Sequence, residues 1–436
     1  MLYGTGSMLG AGIYALVGTA AGELGNAVWL AFVVAMIAAA LTGMSYACLG
    51  SRYPRAAGAA YATHRAYRKN MLTYIVGLAV VASGMTSMAT GARAIGAELS
   101  KMGLAIPKSL GETLSTASPE IIGTLYLIVL SAIVFRGIRE SMALNAFCTI
   151  VEVAGLLLVI AIGIRFWGSV NYLQGPPMED GSGFKSVAFP MILSGAVLTF
   201  FSFIGFEDVL NVAEETKNPR RDIPIGLLGA MLIATVIYLA VAITAVSVGL
   251  PHADLVKGGL RAVVGKAAPW FPPNVFSVIT IFAIANTALL NYVMGTRLLY
   301  GMADNGLLPP ALGKVHPTRQ TPHVATFFLL MMVVALLLVG HIGELASSTT
   351  LLLLTVFTVV NGALVILKFR PSEPKGGFEV PVIVPMLGVL VCGTLVVFRV
   401  VHPPAGSENA VWIAGGLIAW IAVLYLILRP KAVVED

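Results

Sequence analysis

Charge is what this sequence has least of. Asp, Glu, Lys and Arg together make up 11% of 436 residues, where soluble chains carry about 25%. So few charges cannot cover a surface that faces water on all sides, which excludes an ordinary soluble enzyme or binding domain. Cysteine is scarce too: Cys48, Cys148 and Cys392 lie far apart in apolar stretches, which excludes a disulfide framework or a thiolate metal site. The six histidines contain no HExxH pair and no cluster at ligand spacing. No GxxxxGK[ST] loop occurs either, so neither a metal site nor ATP-driven pumping is written in this chain.

What the chain has instead is apolar length. Hydrophobic residues reach 58%, mean hydropathy is +0.89, and there are 46 glycines. A membrane-spanning helix needs about 20 mostly apolar residues. Twelve candidate spans are readable, near 2–22, 27–50, 71–97, 120–136, 141–165, 187–212, 223–249, 274–302, 322–342, 345–368, 381–402 and 410–429. Segment length, and the lack of ten-residue alternation, predict helices rather than barrel strands. Spans this closely spaced leave short loops and no room for a soluble domain. The lipid bilayer is therefore a partner of most of the surface.

The net charge of +6 resolves into topology. Assigned to the nearest loop, eighteen of the 27 Lys+Arg fall on the side of the termini, Arg52, Arg55, Arg220 and Arg221 among them. Eight fall on the other side, including Lys257, Arg261 and Arg399, and Arg93 is left inside the third span. The excess of basic residues on one side predicts cytoplasmic termini in a cell (inner) membrane, and leaves no footprint for nucleic acid. The apolar run beginning at Leu2 has no basic n-region, so it reads as a span and not as a cleavable signal peptide.

Two spans are interrupted at matching positions. The first contains GTGSMLGAGIY, crowding Gly4, Gly6, Gly10 and Gly12 together. The sixth contains SFIGFED, with Gly205 between aromatics and two acids behind it. Broken spans at corresponding places in two halves point to a transporter built as an inverted repeat. Unwound backbone at mid-bilayer is tolerated only where it lines a cavity. Freed N–H groups after Gly10 and Gly12 suit a carboxylate, and freed carbonyls around Phe201 and Ile204 suit an ammonium. Two such breaks facing each other would hold a zwitterion.

At this point the residues resemble a known family. GSMLGAGIY, and SFIGFEDVLNVAEETKNPRRDIP running into the next loop, are similar to signatures of the amino acid–polyamine–organocation transporters. YPRAAGAAY and RLLYGMADNGLLP resemble two further patterns of that family. The resemblance implies an all-α polytopic fold of about twelve transmembrane helices with a five-plus-five inverted repeat. Residues 1–165 would be one repeat and 187–368 the other, with 381–436 outside both. It also implies a substrate held by the backbone around Met8, Gly10, Ala11 and Gly12 and by Phe201 and Ile204 beside Gly205, under the ring of Phe201 or Phe203. Many members carry Ser or Thr where this chain has Ala11, so carboxylate binding would rest on backbone donors. Ser7, Asn286 and Thr287 would add polar lining. About nine residues precede Gly10, fewer than relatives usually have, which gives the expectation that the start at Met1 is internal to a longer protein.

Three acids fall well inside the spans: Glu152, Glu207 and Asp208. A carboxylate there costs about 2.5–3.5 kcal/mol on insertion scales and marks a functional site by default. Glu207 could brace the sixth-span break or carry a proton. Glu152 sits where some relatives place a lysine, so it reads as a proton-coupling residue or as a ligand for a cation, with sodium the alternative to a proton. Glu214 and Glu215 could pair with Arg220, Arg221 or the Arg52–Arg55 loop as an inner gate. The expectation is a permease moving amino acids by alternating access, proton-coupled, with a neutral or apolar substrate favoured because few spare acids remain. A transporter or exchanger of cationic amino acids or polyamines, and a non-transporting amino acid sensor, are the alternatives.

Overall fold

A computed structural model describes residues 2–54, 58–102, 118–178, 182–304, 306–403 and 408–430. Helix accounts for the architecture; among the described residues the extended pairing amounts to one isolated bridge, Pro177 with Phe184. The helices are α1 (Leu2–Met8), α2 (Ala11–Leu24), α3 (Val28–Arg52), α4 (Gly58–Tyr67), α5 (Asn70–Met102), α6 (Pro119–Arg136), α7 (Ile138–Gly163) and α8 (Phe189–Phe200). They continue with α9 (Pro219–Ser247), α10 (His252–Ala267), α11 (Pro273–Asp304), α12 (His323–Val339), α13 (Ile342–Lys368), α14 (Ile383–Val401) and α15 (Asn409–Leu428). In hydrocarbon each backbone N–H and C=O must be satisfied within the segment, and long apolar runs meet that demand as helices.

Ten helical runs among the described residues are long and apolar enough to cross a membrane. The first, Gly4–Arg52, is 49 residues long. It contains α2 and α3, folded back at the short turn Gly25–Ala27. The chain is thus an all-α polytopic membrane protein. Burial sorts the helices into layers: 78% of the most apolar stretch of α5 is buried, against 17% for α15. At the centre α11 packs on α5 and α7, α9 on α3, and α13 on α5. The short α1 lies against α7, α9 and α11.

Two arginines stand within the spans: Arg93, as the sequence placed it, and Arg399, which was counted with a loop. Arg93 donates to the Leu337 and Gly340 carbonyls at the end of α12 and pairs with Glu120 of α6. A cation at the unsatisfied carbonyls of a helix end is favourable, so this charge fastens three helices. Arg399, counted with a loop, is 1% exposed and donates to Ser347 of α13; it is an internal residue of the bundle and no vote for topology.

The polar face that carries the C-terminus of α3 is tied by a network. Arg52 grips Glu379 with two bonds of 2.7 and 2.6 Å, and Lys368 adds a third at 2.7 Å. Arg65 and Tyr53 both donate to Glu373 at 2.7 Å. Ser51 donates to the Arg220 carbonyl and accepts the Phe378 amide. Arg52 is thus engaged by the loop before α14. The backbone of Glu214 and Glu215 closes a 3-10 segment, while their side chains lie outside the described residues, as does Arg55. Arg220 and Arg221 are exposed.

Partial burial pushes the Glu379 carboxyl up, but bonds from Arg52, Lys368 and the Gly376 amide outweigh it and hold it at about 2. A lowered carboxyl stabilises the fold above its ordinary value of 4.5, and that contribution fades as pH falls from there toward 2. Glu379→Gln is expected to cost about 1–3 kcal/mol at pH 7. Thermal denaturation in detergent checks it: the gap to the unaltered protein should hold from pH 8 to 5 and narrow below 4.5.

Candidate functional site

Both predicted breaks are present, and they touch. The first separates α1 from α2: helical bonding lapses at Leu9 and Gly10, and Gly10 takes φ −87° and ψ −125°. The second follows α8. Three residues of 3-10 helix, Phe201–Phe203, end at Ile204, whose ψ of 140° is extended. Gly205 then adopts φ +118°, a conformation that side chains other than hydrogen disfavour. The chain continues as 3-10 turns over Phe206–Glu215 and not as an α-helix.

Contact between the breaks is backbone to backbone. A methyl group at Gly12 would lie 2.3 Å from Ser202 Cα, and one at Gly205 would lie 2.5 Å from the Ser7 carbonyl oxygen. Each break therefore seats its glycine in the peptide backbone of the other. Small residues allow such approach between membrane helices; here the approach is between the two interruptions themselves.

Side chains close the arrangement. Tyr238 of α9, fully buried, places its hydroxyl against the Met8 carbonyl in the first break and the Ser202 carbonyl in the second, the latter at 2.7 Å. Phe203 packs edge-on against the Tyr238 ring with centroids 5.2 Å apart. Phe201 is buried at the start of the 3-10 turn, and Ile204 is half-buried. Ser7 donates to Asp208 at 2.9 Å, and the Gly205 amide donates to Glu207 at 2.9 Å. Glu207 thus caps the amide that the break releases. The Ala11 amide, first of α2, donates to Thr287 Oγ1 of α11 at 2.9 Å, so a hydroxyl from another helix occupies a donor that the sequence reading left free for a carboxylate.

A second polar group lies beside α1. Glu152 of α7 is fully buried, and Asn286 of α11 donates to its two oxygens at 3.2 and 3.3 Å. The same amide reaches Thr149 Oγ1 at 3.2 Å and the Gly6 carbonyl at 3.4 Å. Four oxygens from two helices, α1 and α7, therefore surround one side-chain amide of α11 whose own oxygen has no bond. Tyr14 of α2 donates to the Glu152 carbonyl at 2.6 Å. Asn291, one turn further along α11, bonds Ser87 and the Thr287 carbonyl.

The geometry brings Ser7, Met8, Gly10, Ala11 and Gly12 together with Phe201, Phe203, Ile204, Gly205, Glu207 and Asp208, and sets Glu152, Asn286 and Thr287 beside them. Tyr238, Ser202, Thr149 and Tyr14 belong to the same site and were missed. Thr149 carried a signal: it stands three residues before Glu152, on the same helical face. Tyr238 carried a weaker one, a hydroxyl in the apolar run TVIYLAV that must find a partner once buried.

Comparison with known proteins agrees with this picture. The sequence profile of the family described as "Amino acid permease" matches residues 2–427. The branched-chain amino acid permease BcaP of Bacillus subtilis is 30% identical over 411 residues, 90% of this chain and 84% of that protein. A methylthioribose transporter of the same organism is 29% identical over 440 residues, 97% of this chain and 89% of that protein. Cationic amino acid transporter 9 (chloroplastic) of Arabidopsis thaliana is 30% identical over 331 residues, 73% of this chain but 56% of that longer protein.

Proposed function

The chain belongs to the amino acid permease family, and on that premise we propose that it moves a neutral or apolar amino acid across the cell membrane by alternating access, coupled to protons. Its relatives are permeases and transporters, not enzymes. The observation that carries the mechanism is the pair of breaks packed on each other and bridged by Tyr238. Helix interruptions of this kind supply free backbone groups of both signs at one place. The α2 amides from Gly12 onward would take the substrate carboxylate, and carbonyls near Phe201 and Ile204 its ammonium. The proposed organisation is two five-helix repeats over 1–165 and 187–368, with 381–436 outside them. The cluster of Arg52, Arg65, Lys368 and Arg370 at one face supports cytoplasmic termini.

The preference for a neutral substrate follows from the acids. Glu207 is spent on the Gly205 amide, Asp208 on Ser7, and Glu152 on Asn286. A cationic side chain would have to displace one of these bonds. Transport of cationic amino acids, named for several relatives, is the alternative that the same assay tests.

Glu152 is assigned the coupling role. Its hydrogen-bond partner is the neutral amide of Asn286, and a lone carboxylate in hydrocarbon must carry a proton or neighbour a cation. Protonation from one side and release to the other would tie the Gly6 segment of α1 to the coupling ion. The oxygens of Gly6, Thr149 and Glu152 would serve a sodium ion equally well, so the assay separates the two ions. Uptake of the twenty amino acids into proteoliposomes, with pH and sodium gradients imposed in turn, should find accumulation of a neutral amino acid under the pH gradient. Glu152→Gln should abolish gradient-driven accumulation while leaving exchange of internal for external substrate. Full pH-driven uptake by Glu152→Gln ends the proton assignment; binding without flux in the unaltered protein would make it a sensor.

A further inference from the structure

The cations on the polar face at the end of α3 fall into two groups. Arg52, Arg65 and Lys368 are spent on Glu379 and Glu373. Arg136, Lys314 and Arg319 are exposed, and no acid pairs with them among the described residues. They share that face because the helices alternate: α5 leaves it, α6 returns to it at Arg136, and α11 returns to it before residues 306–322. A tight turn draws the three together. The His316 amide donates to the Thr321 carbonyl at 2.9 Å, and Thr321 Oγ1 donates to the Phe135 carbonyl, in the last turn of α6, at 3.2 Å. The His316 ring meets Phe135 edge-on with centroids 5.5 Å apart. The Arg319 guanidinium lies 4.7 Å from the centre of the same Phe135 ring. Arg136 directly follows Phe135 in the chain, and Lys314 stands two residues before His316.

Orientation in a membrane asks for an excess of Lys and Arg on one face. It asks for a count, not for three like charges gathered round one phenyl ring. Cations brought together without an acid raise the local concentration of anions. Below Arg136 the exposed residues of α6 are apolar. Ala132, Val129 and Leu125 follow it at steps of four, three and four, which is one face of a helix. The run Pro119–Arg136 is long and apolar enough to cross a membrane, so this stripe faces acyl chains. A site for an anion above a stripe for hydrocarbon has the form of a phospholipid. We propose that Arg136, Lys314 and Arg319 bind the headgroup phosphate of an anionic phospholipid in the leaflet on this face, its acyl chain lying along Leu125, Val129 and Ala132. The inference adds a lipid site and does not depend on what the protein transports.

Lipid titration of the full chain in uncharged detergent tests it, with bound lipid counted by native mass spectrometry. The probe is dioleoylphosphatidylglycerol, and dioleoylphosphatidylcholine is the zwitterionic control. The unaltered protein should take up one phosphatidylglycerol in preference to phosphatidylcholine. The triple variant Arg136→Gln, Lys314→Gln, Arg319→Gln should bind it about a hundredfold more weakly, at about fivefold for each cation. A second triple variant, Lys217→Gln, Arg220→Gln, Arg221→Gln, removes the same charge from exposed residues of the same face and should keep the affinity. Phe135→Leu alters no charge but removes the ring under Arg319, and should weaken binding about two- to fivefold. It keeps the test open if the first triple variant does not fold. Equal uptake of the two lipids, equal loss in the two triple variants, or unchanged affinity in Phe135→Leu overturns the site. Displacement of the lipid by millimolar glycerol phosphate overturns the lipid as its occupant and leaves a soluble phosphate ester instead.

Discussion

Gly205→Ala is expected to reduce uptake at least a hundredfold, because two independent costs fall on one atom. The residue sits at φ +118°, where a side chain costs about 1–3 kcal/mol. Its Cβ would also stand 2.5 Å from the Ser7 carbonyl oxygen and 2.7 Å from the Ser7 carbonyl carbon. Those atoms belong to the backbone of the other break and cannot swing aside as a side chain would. Overpacking of this kind costs about 1–3 kcal/mol more, and each 1.4 kcal/mol is about tenfold. The change should force the breaks apart and displace Ser7 from Asp208. Initial uptake rates, normalised to protein that elutes as a single species, measure the effect. Gly168→Ala supplies the control: its φ is +85° but a methyl there meets nothing within 4 Å. It shares the backbone strain without the collision and should keep most of its activity. Equal loss in both variants would mean that the collision with Ser7 is irrelevant.

Tyr238→Phe is expected to lower uptake by about 10- to 100-fold while the protein still folds. The ring would keep its contacts with Phe203 and Phe32, so the variant removes the hydroxyl alone. That hydroxyl faces two carbonyl oxygens, Met8 and Ser202, yet owns a single proton. It can donate to one break at a time, with the other carbonyl left to wait for the proton or for a substrate ammonium. Removing it strands buried carbonyls at about 1–3 kcal/mol. If the loss appears in KM, the hydroxyl helps to hold the substrate; if it appears in kcat, it helps the breaks to part. Uptake unchanged in both parameters would show that the bridge has no part in transport.

How far the site could be read before folding depends on the type of residue. Glycine and acid stand out in an apolar run for reasons that need no neighbour. Gly10, Gly12 and Gly205 mark places where a helix loses its grip, and Glu207 and Asp208 cost too much in lipid to be incidental. Both acids turn out to hold the broken backbone, Glu207 at the Gly205 amide and Asp208 at Ser7. Tyr238 was hidden because an aromatic in an apolar helix looks like packing until its hydroxyl is seen to end at two carbonyls. Arg52 illustrates the same limit at the surface. Its partner Glu379 stands 327 residues away, and nothing local in the sequence points to it. Arg399 was misread for the opposite reason: closeness to the end of a span suggested water, while packing against α13 buried it. Periodicity reports which segments are apolar, and pairing across helices is a property of the fold.

The short turn between α2 and α3 bears on how the protein reaches its membrane. Gly4–Arg52 is one apolar run of 49 residues. As a straight helix it would extend roughly 74 Å, more than twice the hydrocarbon thickness. Only Gly25, Asn26 and Ala27 separate α2 from α3 within it, and none of them is charged. Nothing in that turn resists passage through the bilayer or holds it on the far side. An uncharged turn this short suits insertion of α2 and α3 together as one hairpin, whose first basic residue is Arg52 at the far end of the second helix.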